Sequence, residues 1–352
     1  MRPLTFQILR ALSDVHFTSG AVLAKKLGLS RSAISDALME ASLHGVEIFK
    51  LTRRGYRLAE PLDFLDLEQI RQHLANISGR VDIDIVDTID STNTELSRRA
   101  ALANLPSGTC IATELQTAGR GRRGRQWQSG LATSLTFSLL WRFEKGAAQL
   151  GGLSLVVGLA IVKALRASSI TQARVKWPND ILIDHKKLGG ILIETQGDML
   201  GPTAAVIGIG INVNLPETMK QLIDQPATDF MEHTNQVVSR NQLLANLLSE
   251  LVPALGKFNT LGFTVYRDEW LACHTYQNCA VNVIQGGGDS FDAIVTGVAN
   301  DGSLMVKKIL RKMADKPGQS GLDGTEISLS SAEISMRPAN VKSAARKQLA
   351  RV

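Results

Sequence analysis

Gly119-Arg-Gly-Arg-Arg-Gly-Arg-Gln-Trp127 is the stretch on which the fold turns. It contains G-x-G-x-x-G, the spacing of a dinucleotide-binding turn. Such a turn needs a strand before it, a helix directly after it and an acidic residue about 20 positions on. Here the following segment, Leu135 to Trp141 (LTFSLLW), reads as a strand. The variable positions are Arg120, Arg122 and Arg123, with Arg125 next, and guanidinium groups crowd a pyrophosphate cradled by bare backbone. The doubly wound reading falls away. The segment instead reads as a glycine-hinged clamp whose arginine forks grip phosphate or carboxylate and which orders when the ligand arrives. A flexible basic surface loop accounts for the same residues.

On either side the pattern is mixed helix and strand. Val81 to Ile89 alternates as a strand does, and Leu150 to Leu165 sets Leu153, Val156, Val157, Ala160, Ile161, Ala164 and Leu165 on one face of a core helix. Next come a strand through Val175, the turn Trp177-Pro-Asn-Asp180, strand Ile181–Ile183, the turn Asp184–Lys187, strand Leu188–Glu194, and strand Ala204–Val213. Strands joined by turns this tight predict a largely antiparallel sheet, hence an α+β class. Lys176 and Asn179 sit at a strand end able to hold polar groups for a site, although Pro178-Asn179 also makes a plain turn. Lys187 can reach the same face or simply be solvated. Gly208-Ile-Gly-Ile-Asn-Val-Asn214 offers bare backbone for close approach of a ligand, or for strand packing alone.

The ends read differently. Leu4, Ile8, Leu9 and Leu12 recur at helical spacing, Val22 to Leu27 form a second helix closed at Gly28, and Ser30 caps a third through Ile34, Leu38 and Leu43. Val46–Leu51 and Tyr56–Leu58, around Thr52-Arg53-Arg54-Gly55, form a wing. Arg31, Ser32 and Ser35 occupy the first turn of the third helix, where recognition helices read bases, and Arg53, Arg54 and Arg57 suit phosphates. Such a module also docks proteins. From Cys273 on, short strands punctuated by Gly286–Gly288, Asp301-Gly302 and Gly321–Gly324 predict a small barrel or sandwich. The tail from Asn340 is basic.

The 352 residues are long enough for two or three domains, and 44% hydrophobic with 20% charged residues is globular. Lys and Arg number 39 against 33 Asp and Glu, a net charge of +6. That excludes an acidic solvating chain and admits nucleic acid or a phosphorylated ligand. Three cysteines make no disulfide framework and suit a reducing compartment. Cys273-His274 with Cys279 lacks zinc spacing, and the six histidines form no triad. No apolar signal core follows Met1, and the stretch 150–165 is too short to span a bilayer. A soluble cytoplasmic protein without membrane contact is the expectation.

Taken in order, Ser91-Thr-Asn93, Gln116, the Gly119–Trp127 loop, Lys176–Asp180, Lys187-Leu-Gly-Gly-Ile-Leu192 and Gly208–Asn214 resemble the biotin protein ligases. With the N-terminal helix-turn-helix, the chain is similar to their bifunctional form, the biotin operon repressors. The resemblance implies a multidomain α+β protein. A winged helix-turn-helix would span residues 1–62, and a catalytic domain related to class II tRNA synthetases and lipoate ligases residues 63–271. An SH3-like β-barrel would span 272–338, followed by a basic tail over 339–352.

The implied chemistry joins biotin to ATP, with Mg²⁺, as biotinyl-5′-AMP, then passes biotin to a lysine of the biotin carboxyl carrier protein. The adenylate would favour a homodimer that binds the biotin operator DNA. By motif, Ser91, Thr92, Asn93, Gln116 and Gly119 would hold biotin, and Arg120, Gly121 and Arg122 would close over it. Arg122 would retain the adenylate and Lys187 would sit on the reacting carboxylate and phosphate. Arg120, Arg123, Lys176 and Asn179 would serve the nucleotide, Trp127 would stack on adenine, Asn212 would read its edge, and Asp180 would help carry magnesium.

Two departures stand out. Asp36 and Glu40 lie on the third helix, where acidic groups repel phosphate although Asp can accept from cytosine. The family's closing EISLR reads Glu326-Ile-Ser-Leu-Ser330 here, with Glu333-Ile-Ser-Met-Arg337 following, so that Arg337 takes over the arginine's role or the barrel's contact with the site changes. Three other functions fit parts of the sequence: a small-molecule-sensing regulator without ligase activity, a ligase whose N-terminal domain does not repress, and a lipoate ligase.

Overall fold

In the computed structural model, residues 1–74, 77–234, 239–284, 290–310, 321–330 and 335–338 are described. The N-terminal unit comprises α1 (Pro3–Arg10), α2 (Gly20–Leu27), α3 (Arg31–Leu43) and the hairpin of β1 (Ile48–Leu51) with β2 (Gly55–Leu58). Its caps are those the sequence supplies. The Ser19 hydroxyl accepts from Val22 N, Gly28 ends α2 at φ 69°, and the Ser30 hydroxyl accepts from Ala33 N. Phe6, Ile8, Leu23, Ile34 and Leu58 bury the faces these caps align.

Two side chains lie away from the face the sequence gives them. The Glu40 carboxylate bonds Arg2 and the Thr5 hydroxyl, tying α3 to α1. Burial alone would raise its pKa, but these bonds hold it below the ordinary carboxylate value. Arg57 donates to Asp14 O at 2.5 Å and lies over the rings of Phe17 and Phe49, so it stiffens the hairpin instead of reaching outward.

The central unit is built on a seven-stranded sheet of order β3-β4-β5-β9-β8-β7-β6. Its strands are β3 (Asp82–Ile89), β4 (Thr109–Gln116), β5 (Ser134–Phe143), β6 (Arg174–Lys176), β7 (Asp180–Ile183), β8 (Lys186–Gly197) and β9 (Thr203–Asn212). Only β3 and β4 run parallel, because α5 (Thr92–Leu102) crosses over between them. The remaining pairs are antiparallel, as their tight turns require. α6 (Leu153–Ala167) also buries Leu155, Leu159 and Val162, so its apolar surface extends beyond one face, while Lys163 pairs with Glu269 at 2.9 Å. It packs against α8 (Arg240–Leu261); α4 (Leu67–His73), α7 (Glu217–Lys220) and α9 (Arg267–Cys273) complete the helices.

The connection after β2 is locked. Buried Arg240 pairs with buried Glu114 at 2.8 Å and donates to Asp63 O at 2.8 Å, while Glu114 accepts from Leu65 N at 2.6 Å. Asn241 adds bonds to Phe64 O and from Asp66 N. The neighbouring Leu115 and Leu131 are buried in the same cluster as the N-terminal core, and Arg10 reaches Asp87 at 2.6 Å.

Beyond α9, the described residues form a five-stranded antiparallel sheet, β13-β12-β11-β10-β14. It uses β10 (Ala280–Ile284), β11 (Ser290–Val298), β12 (Leu304–Leu310), β13 (Gly321–Leu329) and β14 (Ser335–Pro338). Arg337 pairs through its backbone with Asn282; the role expected of its side chain, the Gly286–Gly288 turn and the basic tail 339–352 lie outside the described residues. Buried Trp177 donates from Nε1 to Gly302 O at 3.0 Å, joining this sheet to the site's edge. Among the described residues no helix is long and apolar enough to cross a membrane.

Candidate active site

One cavity of about 780 Å³ opens over the central sheet, and the motifs spread over 91–212 converge on it. Its volume lies within the range of small-ligand sites. Ser91, Thr92, Asn93, Gln116, Arg120, Gly121, Arg122, Arg123, Trp127, Lys176, Asn179, Asp180, Lys187 and Asn212 all line it. Gly119 sits at the base of the hairpin, where a Cβ would meet Trp127 O at 2.5 Å.

At one end is the start of α5. Ser91 is its N-cap, accepting from Thr94 N. Gln116, ending β4, accepts at Oε1 from Thr92 N at 2.9 Å, so its amide nitrogen faces the other way, towards Gly119. Buried Asn93 is fully engaged: Nδ2 donates to Leu192 O at 3.1 Å and Glu194 Oε2 at 2.9 Å, and Oδ1 accepts from Ser138 Oγ at 2.6 Å. Its amide therefore frames the site more than it offers bonds to a ligand.

The arginine segment is folded into a tight hairpin in the structure, not an open clamp. Gly121 N donates to Arg125 O, Trp127 N to Gly119 O, and Arg120 bridges Gln126. Arg120 pairs with Glu194 at 2.6 Å. Arg122 donates to Asn179 Oδ1 at 3.1 Å, and Asn179 is itself fixed by donating to Ile191 O at 2.8 Å. Burial, then repulsion from Arg123, lowers the Arg122 pKa; Asp180 opposes this and Arg125 adds to it. A guanidinium remains charged at neutral pH, so these costs are relieved when an anion arrives. Arg123 and Arg125 are exposed beside it.

The floor explains the Gly208–Asn214 motif. A Cβ at Gly208 would lie 2.2 Å from Asn93 Oδ1, and one at Gly210 would lie 2.5 Å from the Trp127 indole. The bare backbone thus admits the protein's own amide and indole against the sheet. Lys187 Nζ lies 5.8 Å from the Trp127 ring centroid and 2.8 Å from Asp180 Oδ1, with Lys176 on the other carboxylate oxygen at 3.8 Å. Asn212 donates to Thr228 O at 3.0 Å and Lys187 O at 3.3 Å, leaving its buried Oδ1 without a partner among the described residues.

Asp180 is held between two lysines, and among the described residues no three His, Cys, Asp or Glu side chains converge on a point that could hold a metal. This set does not form a protein-built magnesium cage; the single Asp180 carboxylate would serve magnesium only together with oxygens of a ligand.

Several lining groups carry no motif. Leu222 to Ala227 form a cover pinned by Lys187 N to Pro226 O, and His185 stacks on Tyr276 at 5.6 Å, while behind the lining Ser138 and Glu194 lie on strands and bond Asn93 and Arg120. A charge ending the apolar run Ile191-Leu-Ile193 was the available signal for Glu194. Nothing comparable marks the cover.

At the N-terminal unit, Arg31 and Ser32 are exposed on the first turn of α3 with Ser35 half-buried, and Arg53 and Arg54 are exposed at the hairpin tip. Asp36 is exposed on the same helix.

Residues 85–213 match the biotin/lipoate A/B protein ligase family. The chain is 36% identical to the bifunctional ligase/repressor BirA of Salmonella typhimurium, over 94% of this chain and 98% of that one. It is 30% identical to the BirA of Bacillus subtilis, over 83% of this chain and 90% of that one. Among solved structures, the biotin protein ligase of Aquifex aeolicus in complex with biotin and ATP aligns with a TM-score of 0.58 at 27% identity, covering 73% of this chain and 99% of that one.

Proposed function

The chain belongs to the bifunctional ligase/repressors of the biotin/lipoate A/B protein ligase family, and from that premise we propose that its cavity joins biotin to ATP and passes it to a lysine of biotin carboxyl carrier protein. The observation that carries the reading is the meeting, in one cavity, of the α5 polar end with Arg122 and Lys187.

Biotin lies at the Ser91–Asn93 and Gln116 end, with its carboxylate directed to Lys187. A carboxylate oxygen attacks the α-phosphorus of Mg-ATP; the bond to pyrophosphate breaks and biotinyl-5′-AMP forms. Both reactants are anions, so the barrier is chiefly repulsion and orientation. The Lys187 ammonium, aimed by Asp180 2.8 Å away, neutralises the reacting oxygens. Arg122, aimed by Asn179, holds the phosphate and keeps the mixed anhydride from escaping. Arg120, Arg123, Lys176 and Asn179 serve the nucleotide directly or through these cations, Trp127 gives adenine an aromatic face, and the unpartnered Asn212 Oδ1 accepts from its amino group. In the second step the neutral acceptor amine attacks the anhydride carbonyl, and AMP leaves with its bond electrons. No enzyme nucleophile is required.

Residues 1–62 act as a winged helix on biotin operator DNA, with Arg31, Ser32 and Ser35 towards bases and Arg53 and Arg54 towards phosphates. Glu40 is withdrawn to α1 and leaves Asp36 as the exposed acid on that face. Residues 63–271 are the catalytic domain and 272–338 an SH3-like barrel. β8 pairs with β9 over 189–197 but with β7 only over 186–190, and its unpaired half supports a homodimer through the sheet edge when adenylate is bound. The protein works in the cytoplasm. Incubation with ATP, labelled biotin and carrier protein, followed by an operator gel-shift, tests both halves. Label on the carrier with an adenylate-dependent shift is expected. Labelling without a shift leaves a ligase that does not repress, and no labelling overturns the enzyme.

A further inference from the structure

Two segments frame the biotin end of the cavity, the start of α5 and the 119–127 hairpin. The hairpin's backbone bonds run mainly within itself. Its Arg120 end is tied to the rest of the site by side chains. Arg120 Nη2 donates to Glu194 Oε1 at 2.6 Å, and Nη1 donates to Thr94 Oγ1 at 3.2 Å. The other oxygen of the same carboxylate, Oε2, accepts from Asn93 Nδ2 at 2.9 Å.

The direction of these bonds is fixed by chemistry. An ionised carboxylate and the Leu192 carbonyl can only accept, so the Asn93 group facing them is its NH₂. Asn93 Oδ1 is thereby turned to Ser138, whose hydroxyl donates to it, and Gly208 leaves the space for it. A single acid on β8 thus holds the arginine hairpin through both oxygens, Oε1 at 2.6 Å and Oε2 at 3.4 Å, and orients the buried amide of α5 through Oε2.

We propose that Glu194 is a positioning residue of the ligase site, which sets the arginine hairpin and the Asn93 amide in register through bonds to Arg120 and Asn93. The pair is half-exposed, so removing it costs the fold little; its consequence is geometric. It rests on the ligase reading only for its effect on catalysis, not for its effect on the hairpin.

The test uses full-length Glu194→Ala, Glu194→Gln, Arg120→Ala and the Glu194/Arg120 double alanine variant. Trypsin cuts after the hairpin arginines, and its rate there reports the hairpin's anchoring without any ligand. Glu194→Ala is expected to speed that cleavage roughly five-fold or more with little change in Tm, and Glu194→Gln, which keeps an acceptor for Asn93, by less. In biotin-dependent ATP–pyrophosphate exchange, Glu194→Ala raises the biotin KM roughly ten-fold with kcat changed about two-fold at most. The double variant loses less than the product of the singles. Unchanged cleavage in Glu194→Ala, or fully independent losses in the double variant, overturns the proposal. Absence of exchange in the unmodified protein overturns the ligase reading instead, and the cleavage result still decides the anchoring.

Discussion

Two arginine–glutamate pairs do opposite work in this molecule. Arg240–Glu114 is sealed, with side chains 1% and 0% exposed, and joins the 63–66 connection, β4 and α8. Arg120–Glu194 is wetter, at 49% and 29%, and joins the hairpin to the cavity wall. Burying a charge pair makes its geometry obligatory, because a lone partner cannot be solvated. A wet pair loses little when broken, so it can guide a segment without holding the fold together. Depth separates architecture from positioning. It does so even on β4, where Glu114 serves the first and Gln116, two residues on, the second.

The largest expected effect is at the sealed pair. Glu114→Ala strands a buried guanidinium and should cost roughly 3–5 kcal/mol in urea unfolding, whereas Glu194→Ala should cost under about 1 kcal/mol. Equal costs would erase the distinction.

Next is Lys187, paired with Asp180 at intermediate depth, 18% and 16% exposed. Lys187→Ala should slow adenylate formation by about 100-fold or more, measured by pyrophosphate exchange, while the unfolding midpoint moves little.

A pH-dependent effect comes from His274, buried against Trp270 with ring centroids 4.5 Å apart. Burial lowers its pKa to about 3. The unfolded chain takes up this proton near pH 6.5 and the folded chain does not, so the contribution is complete above that value. It is lost as pH falls towards about 3, by at most about 1.4 kcal/mol per unit. Replacing His274 by Phe should flatten that part of the stability profile.

Smallest is Glu40→Ala, which frees α1 from α3 at a cost of about 1 kcal/mol. If operator affinity rises instead while stability holds, Glu40 belongs to the DNA face after all.

Much of this was legible beforehand because it rests on local rules. Ser19, Gly28 and Ser30 dictate their caps and turns wherever they stand, and the tight turns around Asp180 and Asp184 force antiparallel strands. The motif residues were found because their types suit anions. What stayed hidden depends on partners distant in sequence. Glu40 and Arg57 look like surface charges until Arg2, Thr5, Asp14 and the Phe17 and Phe49 rings appear beside them. Glycines 208 and 210 suggest a ligand until Asn93 and Trp127 are seen filling their place. Glu194 gains meaning only once Arg120, 74 positions away, folds onto it.

On the proposed mechanism, Lys187 and Arg122 neutralise the anions of adenylate formation in this cavity. Biotin-dependent exchange of labelled pyrophosphate into ATP by the full-length protein tests it most directly. Exchange that requires biotin, is not supported by lipoate and is nearly abolished in a folded Lys187→Ala variant is the result expected. Exchange that is absent, that proceeds equally with lipoate, or that survives Lys187→Ala would contradict it.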